Sequence, residues 1–257
     1  MLKGLYTAYT GMINEQNRMD VLTNNLANSA TIGFKKEGST SQSFSDVLAY
    51  KIKDSSENPN IARNIGYNTP GVKIGENYTD YSQGAFRATE NNLDVALSGD
   101  GFFAIEFTNK SGETSTKYTR DGSFTMNEQG YLVTKDGDYV LGTNGRIRLN
   151  PLQEAVIGQD GTITQNNATV TRLQITDFED YNYLEHYGEN MYQPVEGATT
   201  QNSTAKVFSG YLEASNVQVV SEMVQMIAVT RAYETNQKLI QTFDTTLDTT
   251  VNSLGKL

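Results

Sequence analysis

The sequence predicts an α+β protein, with long N- and C-terminal helices pairing as a coiled-coil-like stalk and an antiparallel β body, a barrel or sandwich, inserted between them. Three observations predict this. Apolar residues return every seven positions at both ends of the chain, short strand-like runs broken by Asp-Gly and Asn-Gly pairs fill the middle, and the acidic charge is concentrated there.

At the N-terminus Leu5, Met12, Met19 and Leu26 form the heptad row, with Leu2, Tyr9 and Leu22 beside it, so a helix is expected from Met1 to about Ala30. Asn28 to Gly33 ends the pattern with turn-forming residues. Residues 34–76 read as an extended connector. Within it Phe44, Val47, Leu48 and Ile52 have helical spacing, whereas Ser55 to Asn60, Asn64, Asn68, Pro70 and Gly71 read as loop.

Residues 77–211 change to a β pattern. Strands are expected at 78–81, 94–97, 102–107, 116–119, 123–126, 131–134, 139–141, 146–149, 162–164 and 172–178. The pairs Asp100-Gly101, Asp121-Gly122, Asp136-Gly137, Asn144-Gly145 and Asp160-Gly161 predict hairpins with type I′ turns, whose two central residues both need positive φ.

The C-terminal helix carries the longest seam: Val219, Met226, Tyr233, Ile240, Leu247 and Leu254. Ser215 or Asn216 is the expected N-cap and Gly255 the expected stop. Helical from Val217 to Leu254, this segment would measure about 55 Å at ~1.5 Å per residue. Val220, Val224 and Ile227 add a second apolar set in its first half, a place for more than one neighbour. Thr242, Thr245, Thr246, Thr249 and Thr250 lower the intrinsic helicity of its second half, so stability there must come from a partner. The expected division is 1–33 plus 212–257 as a helical assembly domain, 34–76 as connector and 77–211 as β domain.

Of the net charge of -10, residues 1–37 carry +1 and 210–257 carry -2, which leaves -9 for the middle. Such a chain is a poor fit to nucleic acid or an anionic membrane. It has no cysteine, so disulfides and thiolate metal sites are ruled out. No apolar core of leader-peptide length follows Lys3, and no run reaches membrane-span length. By themselves these features predict an intracellular protein.

Few residues suggest chemistry. The single histidine, His186, stands among Asp177, Glu179, Asp180, Glu185 and Glu189, but one imidazole does not supply a ligand set. Asp136 and Asp138 around Gly137 lack the rest of a calcium-loop pattern. Gly99 and Gly101 have no third glycine and no following helix to make a dinucleotide fingerprint, and no serine sits in a Gly-x-Ser-x-Gly elbow. Tyr181, Tyr183, Tyr187 and Tyr192 suit partly buried strand and loop positions, with an intersubunit contact or a carbohydrate platform as the sharper reading. The expectation is no enzyme, no cofactor, no metal and no small-molecule substrate.

The residues also carry a family resemblance. Leu5, Tyr6, Gly11, Met12, Asn24, Asn25, Asn28, Gly33, Phe34 and Lys35 resemble the N-terminal run of the bacterial flagellar rod and hook proteins. Gly210, Leu212, Glu213, Ser215, Asn216 and Val217, then Glu222, Met223, Val224, Met226 and Ile227, then Arg231, Ala232, Tyr233, Glu234 and Asn236, resemble their C-terminal run. Leu93 to Ala96, Gly99 to Phe103, Tyr118 to Phe124 and Gly130 to Val133 are similar to the family's central domain, while Ser29, Ala30 and Ile32 depart from its usual turn.

The resemblance implies a structural subunit of the flagellar basal-body rod. Among the rod proteins it is most like the distal ones, which have a segment comparable to Phe44–Ile52 where the hook protein differs. It implies uncleaved export through the flagellar type III apparatus, overriding the intracellular reading. It also implies self-assembly through the terminal helices and contacts with neighbouring rod and hook proteins. A proximal rod or hook-type subunit is the nearer alternative. A secreted glycan-binding adhesin or enzyme is the farther one, and it predicts a cleft in the β region lined by both carboxylates and aromatic rings.

Overall fold

A computed structural model describes residues 2–45, 47–51, 63–69, 71–110, 112–166, 168–188 and 190–254. Ile52, Ser55 to Asn60, Pro70, Glu189 and Gly255 lie outside the described residues. The chain is α+β and divides into two units, Met1–Ala27 with Glu37–Asp80 and Gln218–Leu257, and Asn28–Lys36 with Tyr81–Val217.

In the first unit, helix α1 (Leu2–Ala27) contains no proline and no long β-branched run, so its backbone ladder is uninterrupted. Helix α2 (Val219–Thr249) packs antiparallel to α1. It starts later than expected and is capped by neither Ser215 nor Asn216, since the N-cap is Gln218 without a side-chain bond. Asn216 is diverted within the other unit, where Oδ1 accepts from the Lys36 N–H at 2.7 Å and Nδ2 donates to the Ser82 carbonyl. The threonines of α2 return their hydroxyls to carbonyls one turn back, as Thr242 does to Lys238 and Thr246 to Thr242. That back-bonding slightly weakens a helix, and the segment Thr250–Leu254 widens into a π turn.

The helical piece expected around Phe44 to Ile52 is not formed. Instead strands β1 (Glu37–Ser43) and β4 (Val72–Thr79) pair antiparallel, and β2 (Val47–Lys51) pairs with β3 (Arg63–Asn68). Val47, Leu48 and Ala49 find backbone partners at Asn68, Tyr67 and Gly66, and this pairing overrides a spacing too short to specify a helix by itself.

In the second unit all pairing is antiparallel. Strand β5 (Phe86–Ala88) pairs with Tyr211–Glu213 and β6 (Val95–Ser98) with Lys206–Ser209. Strand β7 (Phe102–Thr108) is central: it pairs with β8 (Thr114–Thr119), with Tyr139–Gly142 and, at its start, with Ile175–Phe178. Both faces of β7 are buried over its first four residues. Phe103 lies in one core with Val95, Leu97, Phe124, Val140 and Ile163, while Phe102 and Ala104 lie in another with Tyr118, Phe178 and Tyr192. Period-two alternation places successive residues on opposite faces, so an unbroken apolar run is what a doubly covered strand requires.

The turns differ from expectation. Gly101, Gly137, Gly145 and Gly161 have positive φ, but none of the Asp or Asn residues before them does, so none is a type I′ turn. Gly122 has no positive φ and closes no hairpin. It sits against β6, accepting from the Val95 N–H at 2.9 Å, and an added Cβ would fall 1.7 Å from the Val95 carbonyl oxygen.

Candidate assembly interface

Two glycines set how closely α1 and α2 approach. An added Cβ at Gly4 would lie 2.8 Å from the Phe243 ring, and one at Gly11 would lie 3.1 Å from the Asn236 amide. Near the other end Asn25 Nδ2 donates to Glu222 Oε2 at 3.3 Å. Moving along α1 by heptads from Gly4 to Gly11 to Asn25 moves the contact back by the same steps from Phe243 to Asn236 to Glu222, so one antiparallel register holds throughout. Val229, one heptad from both Asn236 and Glu222, is buried in the same row. Glycine inside a helix costs about 0.5–1 kcal/mol relative to alanine, and here the close approach of the two backbones offsets it.

The sequence-predicted residues lie beside this row. On α1, Leu5, Met12, Met19 and Leu26 are half-buried. On α2, Met226, Tyr233, Ile240 and Leu247 are half-buried and alternate with Glu222, Val229, Asn236 and Phe243 in steps of four and three. Val219 is exposed, and the side chain of Leu254 lies outside the described residues. The contact row itself escapes a count of apolar residues because glycine, asparagine and glutamate occupy most of it; the same seven-residue period applied to small and polar residues would have found it.

A second face of α1 meets the β1–β4 pair. Thr10 and Asn14 are buried there; a Cβ added at Gly71 would lie 2.3 Å from the Thr10 hydroxyl, and Asn14 Oδ1 accepts from Ser41 Oγ at 3.1 Å. Asn25 joins the groups: its Oδ1 accepts from the Glu37 N–H at 2.9 Å and its Nδ2 donates to the Glu37 carbonyl at 2.8 Å. A fully buried amide satisfied on both sides fixes orientation more sharply than an apolar contact.

In the second unit the remaining motif residues surround a buried ionic lock. Glu213 accepts from Lys35 Nζ at 2.6 Å, from Arg120 Nη1 at 3.3 Å and from the Gly84 N–H at 2.9 Å, while Lys35 also donates to the Ser82 carbonyl and Arg120 to the Gly99 carbonyl. The three charged side chains are 1–3% exposed. Gly33, at φ +68, donates to the Glu213 carbonyl at 2.8 Å, and its Cα faces the Arg120 backbone so closely that a Cβ would lie 2.6 Å from it. Phe34 and Val217 are buried, Asn28 Oδ1 accepts from Thr31, and Ser215 Oγ accepts from the Val217 N–H. Asn24 and Arg231 are exposed.

Among the described residues three clefts bear on chemistry, and one of about 710 Å³ brings the Glu113 carboxylate together with Lys117 and the rings of Phe107 and Tyr187. A cleft of about 680 Å³ is lined by Tyr118, Arg172, Gln174, Thr200, Asn202 and Ser203 among others, with no carboxylate. Another of about 520 Å³ brings Asp121, Asp136 and Asp138 beside Lys135 and Asn190, with no aromatic ring. Burial raises the Asp121 carboxyl above the usual range against its bonds from Ser123, and burial with the neighbouring Asp136 does the same for Asp138. Among the described residues no cluster has metal-binding geometry. His186 stacks edge-on against Tyr192 at 5.4 Å. Three of the acids near it in sequence are engaged locally: Asp177 accepts from Tyr181 and Gln201, Asp180 from Asn182 and Glu179 from Thr199. The Tyr181 hydroxyl is pushed far above its usual value, by burial first and by Asp177 second.

Three family models match the chain: "Flagella basal body rod protein" over residues 5–35, "Flagellar hook protein FlgE/F/G D1 domain" over 96–165 and "Flagellar basal body rod FlgEFG protein C-terminal" over 209–254. The chain is 33% identical to the flagellar basal-body rod protein FlgG of Buchnera aphidicola subsp. Schizaphis graminum, covering 95% of this chain and 96% of that protein. It is 34% identical to FlgG of Bacillus subtilis over 98% and 99% of the two chains. With the flagellar basal-body rod protein FlgF of Caulobacter vibrioides it shares 32% identity over the whole of both.

Proposed function

The chain belongs to the flagellar basal-body rod protein family, and from that premise we propose how it works. It is a structural subunit of the basal-body rod in the cell envelope, and the FlgG relatives favour the distal rod. The subunit is not an enzyme. It leaves the cell uncleaved through the flagellar type III export apparatus and polymerises into a helical tube that transmits torque to the hook.

In this reading 1–33 and 212–257 form the assembly domain, α1 and α2 act as a coiled-coil-like stalk, 34–76 joins it to the β domain at 77–211, and neighbouring rod and hook proteins cap the ends. The observation that carries the reading is the single heptad register of α1 on α2, built at both chain ends where the rod models match. Stiffness follows from that seam, since glycines and a buried Asn25–Glu222 bond allow one register and penalise slippage. The test is Tyr233→Asp or Ile240→Asp. Either is expected to abolish polymerisation in sedimentation while the β domain keeps its circular dichroism and melting temperature; incorporation into rods at the wild-type level would overturn the reading.

A second reading, a proximal rod or hook-basal-body subunit, is favoured by similarity of the whole chain to the Caulobacter FlgF protein and, at 30% identity, to the flagellar hook-basal body complex protein FlhO of Bacillus subtilis. Complementation of distal-rod and proximal-rod deletion strains separates the two.

A further inference from the structure

Among the described residues the buried cations are Lys35, Arg120 and Lys117. The first two share the Glu213 carboxylate. Lys117, only 4% exposed, has no carboxylate in ion-pair contact among the described residues. Its Nζ donates to Gln193 Oε1 and lies over the Tyr187 ring, 4.0 Å from the centroid. Both partners are neutral, and an ammonium has a third N–H to give. A buried charge without a counter-ion is costly, and such charges concentrate at binding and functional sites. Burial pushes the Lys117 ammonium below the usual lysine range, while the charge of Glu185 pulls the other way.

Lys117 lines the cleft of about 710 Å³, and the sheet assembles the rest of the lining. On β8, Lys117 pairs with Ile105 of β7 and Ser115 with Phe107, so Lys117, Ser115 and Phe107 share one sheet face. Met191–Pro194 lies next to β8 and supplies Gln193, and its own partner Leu184–Tyr187 supplies Tyr187. The rings of Phe107 and Tyr187 meet edge to face at 5.4 Å and form an apolar wall. The turn between β7 and β8 adds the exposed side chains of Asn109 and Glu113. A cavity of about 300–1,000 Å³ holds a small ligand.

We propose that this cleft binds a saccharide that bears a carboxylate, of the uronic acid class. The ligand's carboxylate accepts the remaining N–H of Lys117 and supplies the missing counter-ion. Its hydroxyls donate to Glu113 and exchange hydrogen bonds with Asn109 and Ser115, and the apolar face of a sugar ring lies on the wall of Phe107 and Tyr187. A doubly charged phosphate is a poorer fit, because Glu113 lines the same cleft and Glu185 stands near Lys117. A short peptide offers a carboxylate without the row of hydroxyls that Glu113 can receive. Carboxylate and aromatic rings together are the lining expected of a glycan-binding cleft. The inference does not compete with the rod reading, since every lining residue belongs to the second unit and the α1–α2 seam to the first.

The full-length chain is titrated in a calorimeter with a glucuronate-terminated trisaccharide, with the same trisaccharide carrying glucose in that place, with triglycine and with inorganic phosphate. The glucuronate sugar is expected to bind about tenfold more tightly than the glucose one, the difference made by one charge-assisted bond. Lys117→Met fills similar space without the charge. It should bind both sugars equally weakly, and should resist urea at least as well as wild type because the unpaired buried charge is gone. Glu113→Ala, on the exposed turn, should weaken both sugars severalfold with the preference for glucuronate intact; it keeps the test open should Lys117→Met fold poorly.

Absence of binding by either sugar at millimolar concentration would overturn the proposal. So would a Lys117→Met chain that keeps the preference for glucuronate, or a Glu113→Ala chain that binds both sugars as wild type does. Triglycine or phosphate bound as tightly as the glucuronate sugar would mean a site for anions at large, and would overturn the saccharide assignment. None of these results touches the rod reading, whose own test is polymerisation.

Discussion

Replacing Glu213 by alanine removes the carboxylate that bridges two buried cations. Lys35 and Arg120 are 1% and 3% exposed, and both reach Glu213 at 2.6 and 3.3 Å, with the Gly84 N–H as a third donor. Breaking a buried pair by deleting one partner typically costs about 3–5 kcal/mol, because an uncompensated charge stays in low dielectric. The loss has a natural ceiling, since the variant can instead shed the Lys35 proton. At about 1.4 kcal/mol per pH unit, neutralising an ordinary lysine at neutral pH costs roughly 4–5 kcal/mol.

A loss of about 4 kcal/mol is therefore expected at neutral pH, or on the order of 10 °C in melting temperature for a chain of this size. The assay is urea unfolding followed by tyrosine fluorescence, which suits a chain with 15 tyrosines and no tryptophan. The variant should also show a pH signature. Its buried Lys35 would have a folded-state pKa below the unfolded one, so the folded state binds fewer protons and stability rises with pH up to the ordinary lysine value. The deficit should shrink between neutral pH and about pH 10. A loss under about 1 kcal/mol at neutral pH, or a deficit independent of pH, would refute the argument that burial makes this triad interdependent.

Gly33→Ala places a Cβ 2.6 Å from the Arg120 backbone at a φ of +68, so a loss of about 1–3 kcal/mol is expected in the same unfolding assay. Gly11→Leu should force α1 from α2, since the first carbon alone would lie 3.1 Å from Asn236; faster amide exchange along both helices, with the β domain unaffected, is the expected readout. Asp121 is held above the usual carboxylate range by burial, so its favourable contribution is complete below the unfolded aspartate value and is lost as pH rises through the folded one. Asp121→Asn keeps an oxygen for the two Ser123 bonds and removes the charge, so the variant should be more stable than wild type at neutral pH, with the difference vanishing in acid.

Some features were legible because they depend on local chemistry alone. The heptad rows at both ends determined that helices form there, and no tertiary contact was needed to see that Asn28 to Gly33 stops the first of them. A strand was expected at 102–107, and the structure adds that the apolar run Phe102 to Ile105 is covered on both faces. The C-terminal period also pointed to a seam on α2. What the period could not supply was its composition, because a row of Gly4, Gly11, Asn25, Glu222 and Asn236 has no apolar signature and acquires meaning only when the two helices face each other.

The same reason explains the failures. Phe44 to Ile52 has helical spacing in isolation, yet Val47 to Lys51 pairs as a strand because its backbone groups find partners far along the chain. Asn216 is an excellent cap by type, and tertiary structure assigns it to Lys36 and Ser82 instead. Glu213, Lys35 and Arg120 are ordinary surface residues by composition; only folding removes them from water together and makes each depend on the others. Periodicity and turn residues are properties of neighbours in sequence, and they determined which elements exist. Which faces close, which stay open and which charges are buried are properties of neighbours in space, and these the tertiary structure alone decided.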